Sequence, residues 1–126
     1  MREPKVTVRV LIVDDQEPFR AVAREVVEAA GGFEVVGEAG SGEDSVDMAR
    51  SLHPDLVLMD VNMPGIDGVE ATKRILADAS TERVVLLSTY EEEELADRAR
   101  ECGAAAYVSK AAFDPDRLAD VWAAIA

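Results

Sequence analysis

Apolar positions along the chain fall into short solid or alternating runs, separated by stretches in which they recur every three to four residues. That rhythm is the mark of strands alternating with amphipathic helices. VTVRVLIV, Val6 to Val13, reads as a strand whose alternation gives way to a continuous apolar run. A helix is predicted from Pro18 to Ala30, with Phe19, Val22, Val26, Val27 and Ala30 on one face and Gly31 and Gly32 ending it. Phe33 to Ala39 forms a second strand. Ser41 then opens a helix that turns Val46, Ala49 and Leu52 inward, and His53 and Pro54 stop it. Leu56 to Met59 is the third strand, followed by a turn and a helix capped by Asp67 and running from Gly68 to Ala79. Arg83 to Leu87 is the fourth strand, Leu95, Ala99 and Cys102 share a helical face, and Ala106 to Val108 is a short fifth strand. The last helix has Asp114 as its cap and Pro115 at its first position, and buries Leu118, Val121, Trp122 and Ile125.

Strands and helices in strict alternation imply a parallel sheet covered on both faces, because parallel strands need crossover connections and these are right-handed. The expected architecture is a flavodoxin-like (βα)5 three-layer sandwich with strand order 2-1-3-4-5. At 126 residues the chain reads as one domain spanning 1–126. Acidic residues outnumber basic ones 26 to 13, a formal charge of −13, so the domain itself should bind neither nucleic acid nor anionic membrane. The apolar runs are too short to cross a bilayer and MREPKVTVRV has no hydrophobic signal region, so a cytoplasmic location is expected. Cys102 is a lone cysteine and reads as a core thiol.

The third strand runs LVLM straight into Asp60 and then breaks at Pro64 and Gly65. In doubly wound sheets ligands bind beyond the carboxyl ends of the strands, where the strand order reverses. Strand 1 ends in Asp14 and Asp15, and strand 3 ends in Asp60. Three carboxylates converging on one corner repel one another unless a cation compensates, and an oxygen-only cluster suits a hard divalent ion such as Mg²⁺, with Mn²⁺ as a substitute. Mg²⁺ bound in this way favours a phosphorylated partner. Ser88, ending strand 4, offers a hydroxyl donor, and Lys110, after strand 5, is a point charge for a carboxylate or phosphate. There is no glycine-rich nucleotide loop after strand 1.

The segments LIVDDQ, LVLMDVNMPGIDG, LLST and GAAAYVSK, in this order and spacing, resemble the receiver domain of two-component response regulators. The similarity spans essentially the whole chain. It implies that Asp60 is the phosphoacceptor, that Asp14, Asp15, Asp60 and the backbone carbonyl of Asn62 hold the metal, and that Ser88, Tyr107 and Lys110 bind or sense the phosphoryl group. It also implies a sensor histidine kinase or histidine phosphotransfer protein as partner, self-catalysed phosphotransfer and autodephosphorylation, and a homodimer formed on phosphorylation. Many receivers carry a proline after the lysine, where this chain has Ala111. In that respect it looks more like NarL/LuxR-type receivers, which often precede a DNA-binding module and regulate transcription. The chain reads as a stand-alone receiver or as part of a longer regulator.

Each of these residues also has a plainer role. Asp14 and Asp15 would serve as helix-capping acids, Ser88 as a strand-end hydroxyl with Thr89 beside it, Lys110 as a solvated lysine and Tyr107 as a strand-end aromatic. Asp67 reads as a cap rather than a metal ligand, the run Glu91 to Glu94 as a solvated first turn, and His53 as a helix terminator. Two further classes compete. An aspartate-nucleophile phosphatase would need a second acid two residues after Asp60, where Asn62 stands. A phosphorylation-independent adaptor would share the fold, but such domains typically lose an acid or the lysine, and a flavodoxin-type cofactor protein would be yellow.

Overall fold

A computed structural model describes residues 7–78, 82–89 and 92–126. In chain order the elements are β1 Val8–Val13, α1 Glu17–Ala29, β2 Phe33–Ala39, α2 Gly42–Leu52, β3 Leu56–Asp60, α3 Gly68–Asp78, β4 Arg83–Ser88, α4 Glu92–Cys102, β5 Ala106–Ser109 and α5 Pro115–Ile125. All strand pairs are parallel and the order is β2-β1-β3-β4-β5, as the alternation predicts. Val6 and Ala79, the expected outer limits of the first strand and third helix, lie outside the described residues.

The period of two divides each central strand between two cores. Leu11 and Val13, Val57 and Met59, and Val84 and Leu86 pack with Val46 and Ala49 of α2, Val69 and Ile75 of α3, and Leu95, Ala99 and Cys102 of α4. Val10 and Ile12, Leu56 and Leu58, and Val85 and Leu87 pack with Ala23 and Val27 of α1 and Leu118 and Val121 of α5. β3 is buried along its whole length, which is why it reads as an unbroken apolar run. Asp14 and Asp60 come two residues after Ile12 and Leu58, where the apolar positions run out.

Local chemistry sets the helix limits. Ser41 accepts from the Asp44 amide at 3.0 Å, and Asp114 from the Arg117 amide at 2.7 Å. His53 ends α2 in the left-handed region, and Arg9 donates to the free carbonyls of Leu52 and His53 at 2.7 and 2.9 Å.

α1 corrects the sequence expectation. Val22 is 48% exposed, while Ala23 is fully buried. The buried stripe runs through Phe19, Ala23, Val26, Val27 and Ala30, steps of three and four that leave Val22 on the rim. A short 3-10 turn at Lys110–Ala112, unmarked in the hydrophobic pattern, follows β5 directly. At the opposite end of the sheet Glu82 is buried, and its Oε1 has no hydrogen-bond partner among the described residues. Burial, and then the charges of Asp55 and Asp78, push its carboxyl up to about 7.

Candidate functional site

β1, β3 and the turn after β5 deliver four charged side chains to one corner. Asp14 and Asp60 are 1% and 5% exposed, and Asp15 is half-buried. Carboxylate oxygens of Asp14, Asp15 and Asp60 all lie within 4.8 Å of one another. Lys110 reaches in from the far end of the chain, its Nζ donating to Asp14 Oδ2 at 2.7 Å and lying 3.3 Å from Asp60 Oδ1.

The electrostatics follow from this crowding. Burial, then the charge of Asp14, pushes the Asp60 carboxyl up to about 6, with Asp15 adding to the rise and Lys110 opposing it. Burial alone would lower Lys110, but its bond to Asp14 and the charges of Asp60 and Asp14 outweigh that and raise it. Three carboxylates against one ammonium leave an excess of two negative charges when Asp60 is ionised. An oxygen-only donor set with that excess fits a hard divalent cation, so the residues present suit Mg²⁺.

The backbone around Asp60 is held from two sides. The Gly68 amide donates to the Val61 carbonyl at 2.9 Å, and a Cβ on Gly68 would lie 2.0 Å from the Asp60 carbonyl oxygen. Gly65 turns the loop at a φ of +79°, a conformation in which glycine carries no steric penalty. Asp67 caps α3 by accepting from the Glu70 amide at 2.9 Å, the role expected of it. Asn62 lies exposed in this loop, two residues beyond the end of β3.

Ser88 is the last residue of β4, 1% exposed and in register with Ser109 of β5. Thr89 lies beyond the strand and is exposed, so the register distinguishes the two hydroxyls. Tyr107 is opposite Leu86 and half-buried against the core that contains Leu95.

Several contributors have no mark in the sequence. Arg20 donates to the Asp14 carbonyl at 2.6 Å and reaches Glu38 at 3.6 Å, tying α1 and β2 to the strand end. The Gln16 amide donates to Asp14 Oδ1 at 2.8 Å, and its side chain donates to Asp15 Oδ2 at 3.2 Å. The Phe19 ring lies under the Lys110 ammonium. The only local signal for all three is their place just after Asp14 and Asp15, at the start of α1.

A family profile described as "Response regulator receiver domain" matches residues 10–123. The chain is 43% identical over 105 residues to the response regulator UvrY of Escherichia coli strain K12, covering 83% of this chain and 48% of that protein. It is 42% identical over 105 residues to the response regulator GacA of Pseudomonas aeruginosa, covering 83% of this chain and 49% of GacA. The chain thus spans about half the length of these curated relatives. Its fold matches the crystal structure of a LuxR-family two-component response regulator from Aurantimonas with a TM-score of 0.86 and 34% identity, covering 94% of this chain and 84% of that one. It also matches the Vibrio cholerae chemotaxis protein CheY4 with a TM-score of 0.83 and 25% identity, covering 96% and 100%.

Proposed function

This chain belongs to the response regulator receiver family, and we propose that it is a phosphorylation-dependent signalling switch whose phosphoacceptor is Asp60. The observation that carries the proposal is the packing of Asp14, Asp15 and Asp60 around one point with Lys110 bonded into it. The donor is a phosphohistidine on a sensor histidine kinase or a histidine phosphotransfer protein. In the longer protein that the relatives' lengths suggest, the output is control of transcription, a reading supported by the LuxR-family neighbour. No described helix is long and apolar enough to cross a membrane.

An Asp60 carboxylate oxygen attacks phosphorus and forms the O–P bond, while the P–N bond to the donor imidazole breaks and the departing nitrogen keeps the electron pair. The attacking oxygen must be ionised, and a carboxyl at about 6 is mostly so at neutral pH. Asp14, Asp15, Asp60 and the Asn62 carbonyl would hold Mg²⁺, which when bound would supply charge neutralisation at the transferring oxygens. Lys110 keeps its shorter bond to Asp14 as an anchor and exchanges its longer contact with Asp60 for a phosphoryl oxygen.

Phosphoramidate with Mg²⁺ at neutral pH, followed by intact mass measurement, tests the proposal. One phosphoryl group per chain is expected, and an unchanged mass would refute it. Asp15 belongs to the metal site in this scheme, so Asp15→Asn should weaken Mg²⁺ binding at least tenfold in an NMR titration. Wild-type affinity in that variant would remove Asp15 from the site.

Switching is a separate step from the chemistry. Ser88 ends the strand next to β3, and in this reading its hydroxyl donates to a phosphoryl oxygen once one is attached to Asp60. Its movement opens space beside β5 into which Tyr107 turns, and this remodels the face formed by α4, β5 and α5. Ser88→Ala should therefore leave Asp60 phosphorylatable but halve, or more, the amide shift changes from Leu95 to Val108 on adding beryllofluoride. The full wild-type shift pattern at matched occupancy would exclude the hydroxyl as the coupling element.

A further inference from the structure

We propose that Phe19 is a positioning residue for phosphotransfer, its ring face holding the Lys110 ammonium at the acidic corner. This rests on Asp60 being the phosphoacceptor. Lys110 Nζ lies 4.4 Å from the centroid of the Phe19 ring, within the range of a cation–π attraction. The Lys110 side chain is only 16% exposed. Its charge therefore sees little water and meets two carboxylates on one side and the ring on another.

The ring is itself fixed. Phe113 lies with its ring centroid 6.5 Å from that of Phe19 at 39°, and is buried. Phe113 also closes the short turn that begins at Lys110, its amide donating to the Lys110 carbonyl at 3.4 Å. One turn thus brings both the lysine and the second aromatic against a single residue of α1, so Phe113 packs on the ring that faces Lys110.

The chemistry explains why a ring suits this position. A lysine has a flexible stem and three donors, and the contacts at 2.7 and 3.3 Å to Asp14 and Asp60 leave it a further direction. Water there would draw the ammonium outward. A third carboxylate would compete with the phosphoryl oxygen for it. The face of a phenyl ring attracts the charge without a fixed acceptor direction, so the ammonium can move from Asp60 to the phosphoryl oxygen while it stays desolvated.

The test replaces Phe19 with phenylalanines carrying one, two or three ring fluorines, which weaken the face stepwise with little change in shape. At saturating Mg²⁺ the maximal rate of phosphorylation by phosphoramidate should fall with each fluorine, to about one-tenth with three. The thermal midpoint should hold. Phe19→Tyr, which keeps the face, should retain most of the rate, and Phe19→Leu should lose about as much as the trifluoro variant. A second readout needs no phosphotransfer: the ring should shift the Lys110 ε-methylene protons upfield, and Phe19→Leu should return them. A flat rate across the fluorine series, or an unshifted Lys110 in the wild type, overturns the proposal and leaves Asp60 untouched as phosphoacceptor. A wild type that takes up no phosphoryl group overturns both.

Discussion

Replacing Asp60 with asparagine is expected to abolish phosphoryl uptake and, in EDTA, to make the domain more stable than the wild type by about 3 kcal/mol above pH 6. The first follows from loss of the attacking carboxylate, and the second from the electrostatics of the site. Burial and the neighbouring Asp14 raise the Asp60 carboxyl to about 6, from an ordinary 3.8. A folded-state value above the unfolded one means that the folded state holds its proton longer. Stability is therefore fully present below about pH 4 and is lost as pH rises to about 6. Asparagine is never charged, so the gap between variant and wild type should open across that window and then level off. Lys110 keeps its 2.7 Å bond to Asp14 in the variant, so no buried ammonium is stranded. Denaturant unfolding of both proteins from pH 4 to pH 8 measures the gap. Equal stability at pH 8 would show that the strand-end acid is not held at a cost, and a phosphoryl group on the variant would move the acceptor elsewhere. Mg²⁺ should narrow the gap by stabilising the wild type selectively.

Gly68→Ala should cost about 3 kcal/mol or more, as overpacking against rigid atoms does. The three nearest atoms to its Cβ would be the carbonyl oxygen and carbon of Asp60, at 2.0 and 2.9 Å, and the Cα of Val61, at 2.9 Å. All are backbone, so none can step aside as a flexible side chain would. Relief requires α3 to withdraw or the end of β3 to bend; the second displaces Asp60, and the first loosens the loop that joins Asp60 to α3. Where the variant folds, its phosphorylation rate should therefore fall further than its folded fraction does, as mass spectrometry and circular dichroism on one sample would show. A stable variant with the wild-type rate would mean that the approach of helix to strand is unimportant.

The corner was legible because its residues break a pattern. An acid at the end of LVLM, two more at the end of LIV and a lysine after AYVS stand out against apolar runs that call for none of them. Phe19 and Val22 show the opposite case. Both fit one apolar helical face, yet the structure sets one under an ammonium and the other in solvent. Helical periodicity fixes relative angles around an axis and not the rotation of the helix on its sheet. Glu82 was invisible for a similar reason, since an acid next to an arginine at a strand start looks exposed until the surrounding layers close over it.

The sequence by itself determined the order of strands and helices, their caps and the polar residues at the strand ends, because these depend on local period, propensity and turn chemistry. Tertiary structure decided which of those residues meet. Asp14 and Lys110 are 96 positions apart and bonded at 2.7 Å. Only the order and parallel register of β1, β3, β4 and β5 line up the strand ends along one edge of the sheet, where a lysine after β5 can reach an acid at the end of β1. Which ring backs that lysine, which hydroxyl faces inward and which glycine admits α3 to β3 depend on packing to tenths of an ångström, and no local pattern encodes that distance.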